Sequence, residues 1–251
     1  MAYRELPAPP DLAHVVLCLW LREGSGDDTL VLPDGCLDVI VRDGRALVAG
    51  PDTASVRVPV APGERVAGVR MQPGAGGAVL GVPADELRDR RVALEDLWGR
   101  AGREAGERAG PDPLALADAL RARLAAAAPD PRALAAARRL GRAPSTPVPA
   151  LADAVGLGER QLRRRFATAV GYGPKTFARV ARFRRALALV RAGEAPAAAA
   201  FAAGYADQAH MTREMRALAG RTPAAFNGDA AGARGARAGV TPPLPAALRA
   251  A

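Results

Sequence analysis

The sequence predicts an α+β chain in which a β-rich barrel- or sandwich-like unit precedes an all-α unit. Three observations carry this. Short alternating apolar runs recur through the first hundred residues between turn signals. Apolar residues recur at helical spacing from Leu151 to Phe226. The charge also divides: 20 basic residues stand against 7 acidic ones from Asp130 onward, a net of +13, whereas residues 1–129 hold 15 basic and 19 acidic, a net of −4. The length of 251 residues suits about two domains, and a 49% hydrophobic content suffices for real cores.

In chain order, candidate strands run from His14 to Leu21, Thr29 to Leu32, Leu37 to Arg42, Ala46 to Ala49, Ser55 to Val60 and Arg65 to Met71. Turn signals separate them, among them Pro33-Asp34-Gly35, Asp43-Gly44 and Pro62-Gly63. Alternation puts Asp34, Cys36 and Asp38 on one face, which suits a polar pocket wall or, preferably, a turn in which Asp34 bonds its own backbone. Cys18 and Cys36 lie in apolar runs and read as buried thiols. Gly74, Gly76 and Gly77 resemble a phosphate loop only superficially. No Gly-Lys-Ser/Thr follows them, and a turn opening a short helix is the simpler reading. Short helices are expected near Gly76 to Leu80 and Pro83 to Leu87, and VALEDLWG closes the unit around Trp98. Trp20 and Trp98 read as core. Residues 101–129 read as a helical connector whose leucines could also serve a dimer contact, with Arg103, Glu104, Glu107 and Arg108 as a solvated face.

From Leu151 the pattern is a helix-turn-helix, a connecting helix and a second helix-turn-helix. Leu151, Ala152 and Val155 give a short helix one apolar side, Gly156 supplies the permissive backbone at its end, and Leu157 plugs back into the core. After Gly158, Leu162, Phe166 and Val170 form an inward stripe while Arg160, Arg163 and Arg164 project away from it. Guanidinium forks on that face suit guanine edges or phosphates. Pro174 opens a helix carrying Phe177, Val180, Phe183, Leu187 and Val190 to about Arg191. In the second unit an alanine-rich helix ends at Gly204, Tyr205 packs inward, Asp207 caps, and Met211 with Met215 make the buried stripe. Ala209, Thr212 and Arg213 face out, flanked by Gln208 and His210.

The run LADAVGLGERQLRRRF, followed by GYADQAHMTREMRALAGRTPAAF, resembles the AraC/XylS family of bacterial regulators. The resemblance implies that Arg160, Arg163 and Arg164 hold base-reading or phosphate positions in the first unit, and Gln208, Ala209, Thr212 and Arg213 those of the second. The chain departs from the pattern at Met211 and Met215, where phenylalanine is usual, at Ala199 and at Asn227. The stretch LPDGCLDVIV, with GVRMQPGAGGAVLGVPADEL and LEDLWG, is similar to an N-terminal domain found on a subset of actinobacterial AraC-type regulators. The family at large uses this domain for effector sensing or dimerisation.

The expected organisation is therefore a β-rich regulatory domain over 1–100, a helical connector over 101–129, a DNA-binding domain over 130–227 and a disordered tail over 228–251. The expected function is sequence-specific binding of double-stranded DNA, with two recognition helices in successive major grooves. RNA polymerase, a small-molecule effector and a second copy of the chain are left open as partners. No apolar run approaches 18 residues and the start lacks a signal-peptide pattern, so a cytoplasmic protein with no membrane segment is expected. No cofactor is expected. Two readings compete: a β-barrel enzyme with a helical accessory domain, and a non-specific nucleic-acid-binding protein. The first needs metal ligands converging in the barrel, and His14 alone does not supply the usual set.

Overall fold

The computed structural model describes residues 2–226. Eight strands form two antiparallel sheets: β1 (Ala2–Pro7), β2 (Val16–Glu23), β3 (Thr29–Val31), β4 (Asp38–Arg42), β5 (Arg45–Ala49), β6 (Val56–Val58), β7 (Arg65–Met71) and β8 (Arg91–Ala93). Six of them make one sheet in the order β1-β2-β7-β4-β5-β8, and β3 pairs with β6 in a second. The large sheet is open, because β1 and β8 each pair on one side only. The six expected strands are present, with ends shifted by at most two residues. The edge strands β1 and β8 were not expected: β1 has the weakly apolar sequence AYRELP, and β8 is three residues long.

Period-two alternation gives the large sheet two unlike faces. Leu19, Val39, Val41, Val48, Val69 and Met71 point to one side, where helices cover them. These are α1 (Gly76–Leu80), α2 (Leu94–Trp98), α3 (Arg100–Ala109) and α4 (Pro113–Ala126). Residues 101–129, expected as a connector, thus complete the core of the β-rich unit. Leu116, Leu120 and Leu124 of α4 are buried in that core rather than presented to a second copy. Helix α3 lies so close to the sheet that a Cβ on Gly106 would come within 2.5 Å of the Ala46 backbone nitrogen. Its Arg103, Glu107 and Arg108 face solvent, and Glu104 is half-buried. On the other face Cys18, Trp20, Val60 and Val66 form a smaller cluster beneath the β3–β6 ladder.

The second half is helical: α5 (Pro131–Arg142), α6 (Val148–Ala154), α7 (Glu159–Val170), α8 (Pro174–Arg191), α9 (Pro196–Ala203) and α10 (Gln208–Ala219). Asp130 caps α5, its Oδ1 accepting from the backbone N–H of Arg132 and Ala133 at 2.9 and 3.2 Å. The two halves share packing. Leu30 and Leu32 from the β-rich half sit in the same core as Phe166, Phe177 and Phe183. The Ser55 N–H donates to the Leu218 carbonyl at 2.8 Å. Arg138 Nη2 donates to Gln72 Oε1 at 2.9 Å. No helix among the described residues is long and apolar enough to cross a membrane. The tail expected to be disordered, 228–251, and Asn227 lie outside the described residues.

Candidate nucleic-acid interface

Helices α6 and α7 meet at a turn that the residues dictate locally. Gly156 has φ of +63°, a conformation costly to other residues, and it lets the Leu157 N–H return to the Ala152 carbonyl at 3.0 Å. Gly158 follows at the N-cap of α7, extended and without a side-chain cap. Leu162, Phe166 and Val170 are buried, as their spacing requires. Arg160, Arg163 and Arg164 are exposed on the opposite side. Arg163 Nη2 donates to Glu159 Oε2 at 2.9 Å, one turn earlier. Arg160 and Arg164 hold no carboxylate within ion-pair distance among the described residues.

The second unit repeats the first. Gly204 has φ of +86°, and the Tyr205 N–H returns to the Ala200 carbonyl at 3.0 Å. Asp207 caps α10, its Oδ1 accepting from the His210 N–H at 2.6 Å. This turn is one residue longer than the first, so the two N-caps, Gly158 and Asp207, bring the helices into register. Counted from them, Leu162, Phe166 and Val170 correspond to Met211, Met215 and Ala219, all buried. On the outward side Arg160, Arg163 and Arg164 correspond to Ala209, Thr212 and Arg213. Gln208, Ala209 and Arg213 are exposed, whereas Thr212, expected to face outward, is half-buried. Gln161, exposed on α7, was not singled out from the sequence.

Helix α8 holds the units apart. Its 18 residues span about 27 Å at ~1.5 Å per residue. It is fixed at one end by the edge-on contact of Phe166 with Phe177, their centroids 5.6 Å apart. At the other unit Arg179 Nε and Nη2 donate to the Glu214 carboxylate at 3.0–3.2 Å. The β-rich half packs along one flank of α7. Arg164, Arg165 and Thr168 border a groove whose other wall is Gly81, Val82 and Pro83.

A cavity of about 270 Å³ lies between the large sheet and the β3–β6 ladder. Asp34, Cys36 and Asp38 all line it, and Asp34 Oδ1 also accepts from the Cys36 N–H at 2.9 Å. The turn and the pocket wall are therefore the same structure. Arg70, buried, donates from Nε to both Asp38 oxygens at 3.2 and 3.3 Å, and the Trp20 indole N–H donates to Asp38 Oδ1 at 2.7 Å. Burial raises the Asp38 pKa, and the Arg70 charge opposes that shift. Burial likewise pushes the Cys18 thiol up to about 12 and Cys36 well above its usual value, so both are poor thiolates. Trp98, expected in the core, packs half-buried against its margin, its indole N–H donating to the Leu80 carbonyl at 3.0 Å. The cavity arginines were not foreseen. Their signal was period-two spacing, with Arg22 following Cys18 and Trp20, and Arg70 following Val66 and Gly68. Among the described residues no cluster of three or more His, Cys, Asp or Glu side chains could hold a metal ion.

Two family models match parts of the chain. A helix-turn-helix domain model matches residues 151–228, and a domain of unknown function (DUF6597) matches residues 4–93. No curated protein matches the chain. Among solved structures, the chain is similar to an apo variant of ToxT from Vibrio cholerae, with 10% identity over 83% of this chain and 96% of that one, at a TM-score of 0.43. It is similar also to unsaturated fatty acid bound wild-type ToxT from the same organism, with 9% identity over 85% and 94%, at a TM-score of 0.43. The chain thus carries an AraC-type helix-turn-helix domain behind a domain of unknown function.

Proposed function

We propose that the protein binds a specific DNA site as a two-handed clamp, with α7 and α10 in successive major grooves on one face of the duplex. The observation that carries this is the register of the two recognition helices. Each follows a glycine at positive φ, and from its N-cap each buries the fourth and eighth residues while turning the second and sixth outward. Residues near the N-terminus of a recognition helix meet base edges. In this reading Arg160, Arg163 and Arg164 read bases or hold phosphates from α7, and Gln208, Ala209, Thr212 and Arg213 do so from α10. The net charge of +13 from Asp130 onward supports phosphate attraction there, and the net −4 of residues 1–129 suits a regulatory rather than a DNA-contacting part.

The β-rich half, with α3 and α4, is the regulatory unit in this reading, and its cavity is the place for an effector. RNA polymerase and a second copy of the chain are further partners that the family reading brings with it. The protein acts in this account as a regulator rather than an enzyme. A footprint on a site recovered by DNA selection tests the clamp. Two protected blocks about 10 bp apart within roughly 20 bp are expected. One short block would overturn the two-handed reading, and equal competition by unrelated duplex would overturn specificity.

A further inference from the structure

Arg22 is the odd cation of the N-terminal cavity. Four guanidiniums line that space. Arg42 Nη2 donates to Glu64 at 2.9 Å, and Arg91 makes two hydrogen bonds to Asp52, of 2.8 and 2.7 Å. Arg70 lies among Asp38, Asp34 and Glu5 at 3.2, 3.5 and 3.6 Å. Arg22 has no carboxylate within ion-pair distance among the described residues. Its Nη1 donates to the neutral Thr29 hydroxyl at 3.1 Å, and its guanidinium lies 5.1 Å from the centre of the Tyr3 ring. Only 5% of the residue is exposed. A buried cation without a counter-charge is costly, and arginine does not escape by losing its proton. Desolvation does pull its pKa down, to about 10, which still leaves it charged at neutral pH.

The rest of the space is shaped for an apolar body. The sheet register sets three rows across the floor: Cys18, Arg70 and Asp38 in one, Trp20, Gly68 and Ile40 in the next, and Arg22 beside Val66 in the third. The middle row is apolar. A Cβ on Gly68 would fall 2.2 Å from Trp20 Cε2, so the indole occupies the space directly over the sheet backbone, held there by its bond to Asp38. Val58 and Val60 face it from the β3–β6 side. At the far end Asp34 and Asp38 already share the charge of Arg70, which leaves no free cation there for a second anionic group. The volume of about 270 Å³ lies near the lower end of the ~300–1,000 Å³ usual for small-molecule sites.

We infer that the cavity binds a small apolar monocarboxylate, its carboxylate on Arg22 and its hydrocarbon or aromatic body along Trp20 and Ile40. A bidentate carboxylate would supply the counter-charge that Arg22 lacks. This deepens the regulatory reading above, and rests on it only for the consequence to DNA binding, not for the binding itself.

Calorimetric titration of the full-length protein with 4-phenylbutanoate and octanoate, each beside its neutral amide, tests the inference. At least one acid is expected to bind, with its amide about tenfold weaker or more. Arg22→Met should reduce that preference to within about twofold, while Arg22→Lys retains part of it. Equal binding of acid and amide, absence of binding by both acids at millimolar concentration, or a preference intact in Arg22→Met overturns it. Should Arg22→Met fail to fold, the acid–amide comparison on the unmodified protein decides. Operator affinity is measured separately with and without the acid. Binding that leaves operator affinity unchanged upholds the site and overturns only the regulatory reading.

Discussion

Gly35 lies against the ring of Phe177 with no room for a side chain: a Cβ there would sit 2.6 Å from Cε2 of that ring. Its neighbours Asp34 and Cys36 line the cavity, while Phe177 belongs to α8 and packs edge-on against Phe166 of recognition helix α7. Three consecutive residues thus connect the cavity wall to the core that positions α7, the helix proposed to read DNA. Such contiguity is a route for coupling, and coupling has to be measured.

Gly35→Ala is expected to destabilise the protein by more than about 1 kcal/mol, because φ is +83° and the Phe177 ring must also move. Denaturant unfolding checks the stability, and operator titration checks whether the displaced ring weakens DNA binding. Unchanged values in both would show that the ring yields freely and would sever this route.

Leu32 belongs to the β-rich half yet is buried in the helical core beside Phe166 and Phe177. Leu32→Ala should cost about 2–5 kcal/mol through lost burial and the cavity left behind. The loss should appear in the unfolding of the DNA-binding half as well, followed by operator binding during thermal melting. Melting of that half at an unaltered temperature would mean that the two halves are energetically independent.

Arg164→Ala should weaken operator binding by about 1–3 kcal/mol and relax preference at one base pair if its fork chelates a guanine. Uniform weakening across sequences, with a smaller salt slope, would assign it to phosphate. Arg213 occupies the corresponding position on α10, and the same substitution there should affect only the other half of the site. Binding-site selection with each variant reads both outcomes.

Asp130 couples pH to the start of α5 and its contact with α7. Desolvation pushes its pKa up, but the backbone N–H of Ala133, the Arg165 guanidinium and the N–H of Arg132 outweigh this and leave it lowered. A carboxylate lowered on folding gives stability that is present above its unfolded value and lost as pH falls through its folded value. The window therefore lies below about 3.8, the ordinary value. Asp130→Ala should cost about 1 kcal/mol near neutrality through the lost cap of α5. It should also flatten the acid limb of a stability–pH curve, and an acid limb as steep as the parent's would place the titration elsewhere.

Much of the DNA-binding half was legible because its signals are local. A glycine that must adopt positive φ, an aspartate three residues before a capped N–H, and apolar residues one turn apart act within a few residues of themselves, so Gly156, Asp207 and the stripe of Leu162, Phe166 and Val170 stand where the spacing put them. Thr212 was the exception, half-buried because neighbouring packing rather than helical phase sets its exposure. The edge strands escaped because pairing with Val16–Glu23 and Arg45–Ala49, not intrinsic pattern, makes Ala2–Pro7 and Arg91–Ala93 extended. The leucines of α4 read equally as a dimer stripe or a core face until the sheet was there to cover them. The cavity depended on tertiary structure most of all. Period two assigned Arg22, Arg70 and Asp38 to faces, but which arginine meets which carboxylate depends on strands brought together from distant parts of the chain. Only that register leaves Asp38 beside Arg70 and Arg22 beside Val66. The sequence by itself determined the two helix-turn-helix units and the exposed faces of their second helices; the long-range pairing of strands decided where a buried positive charge would be left without its counter-ion.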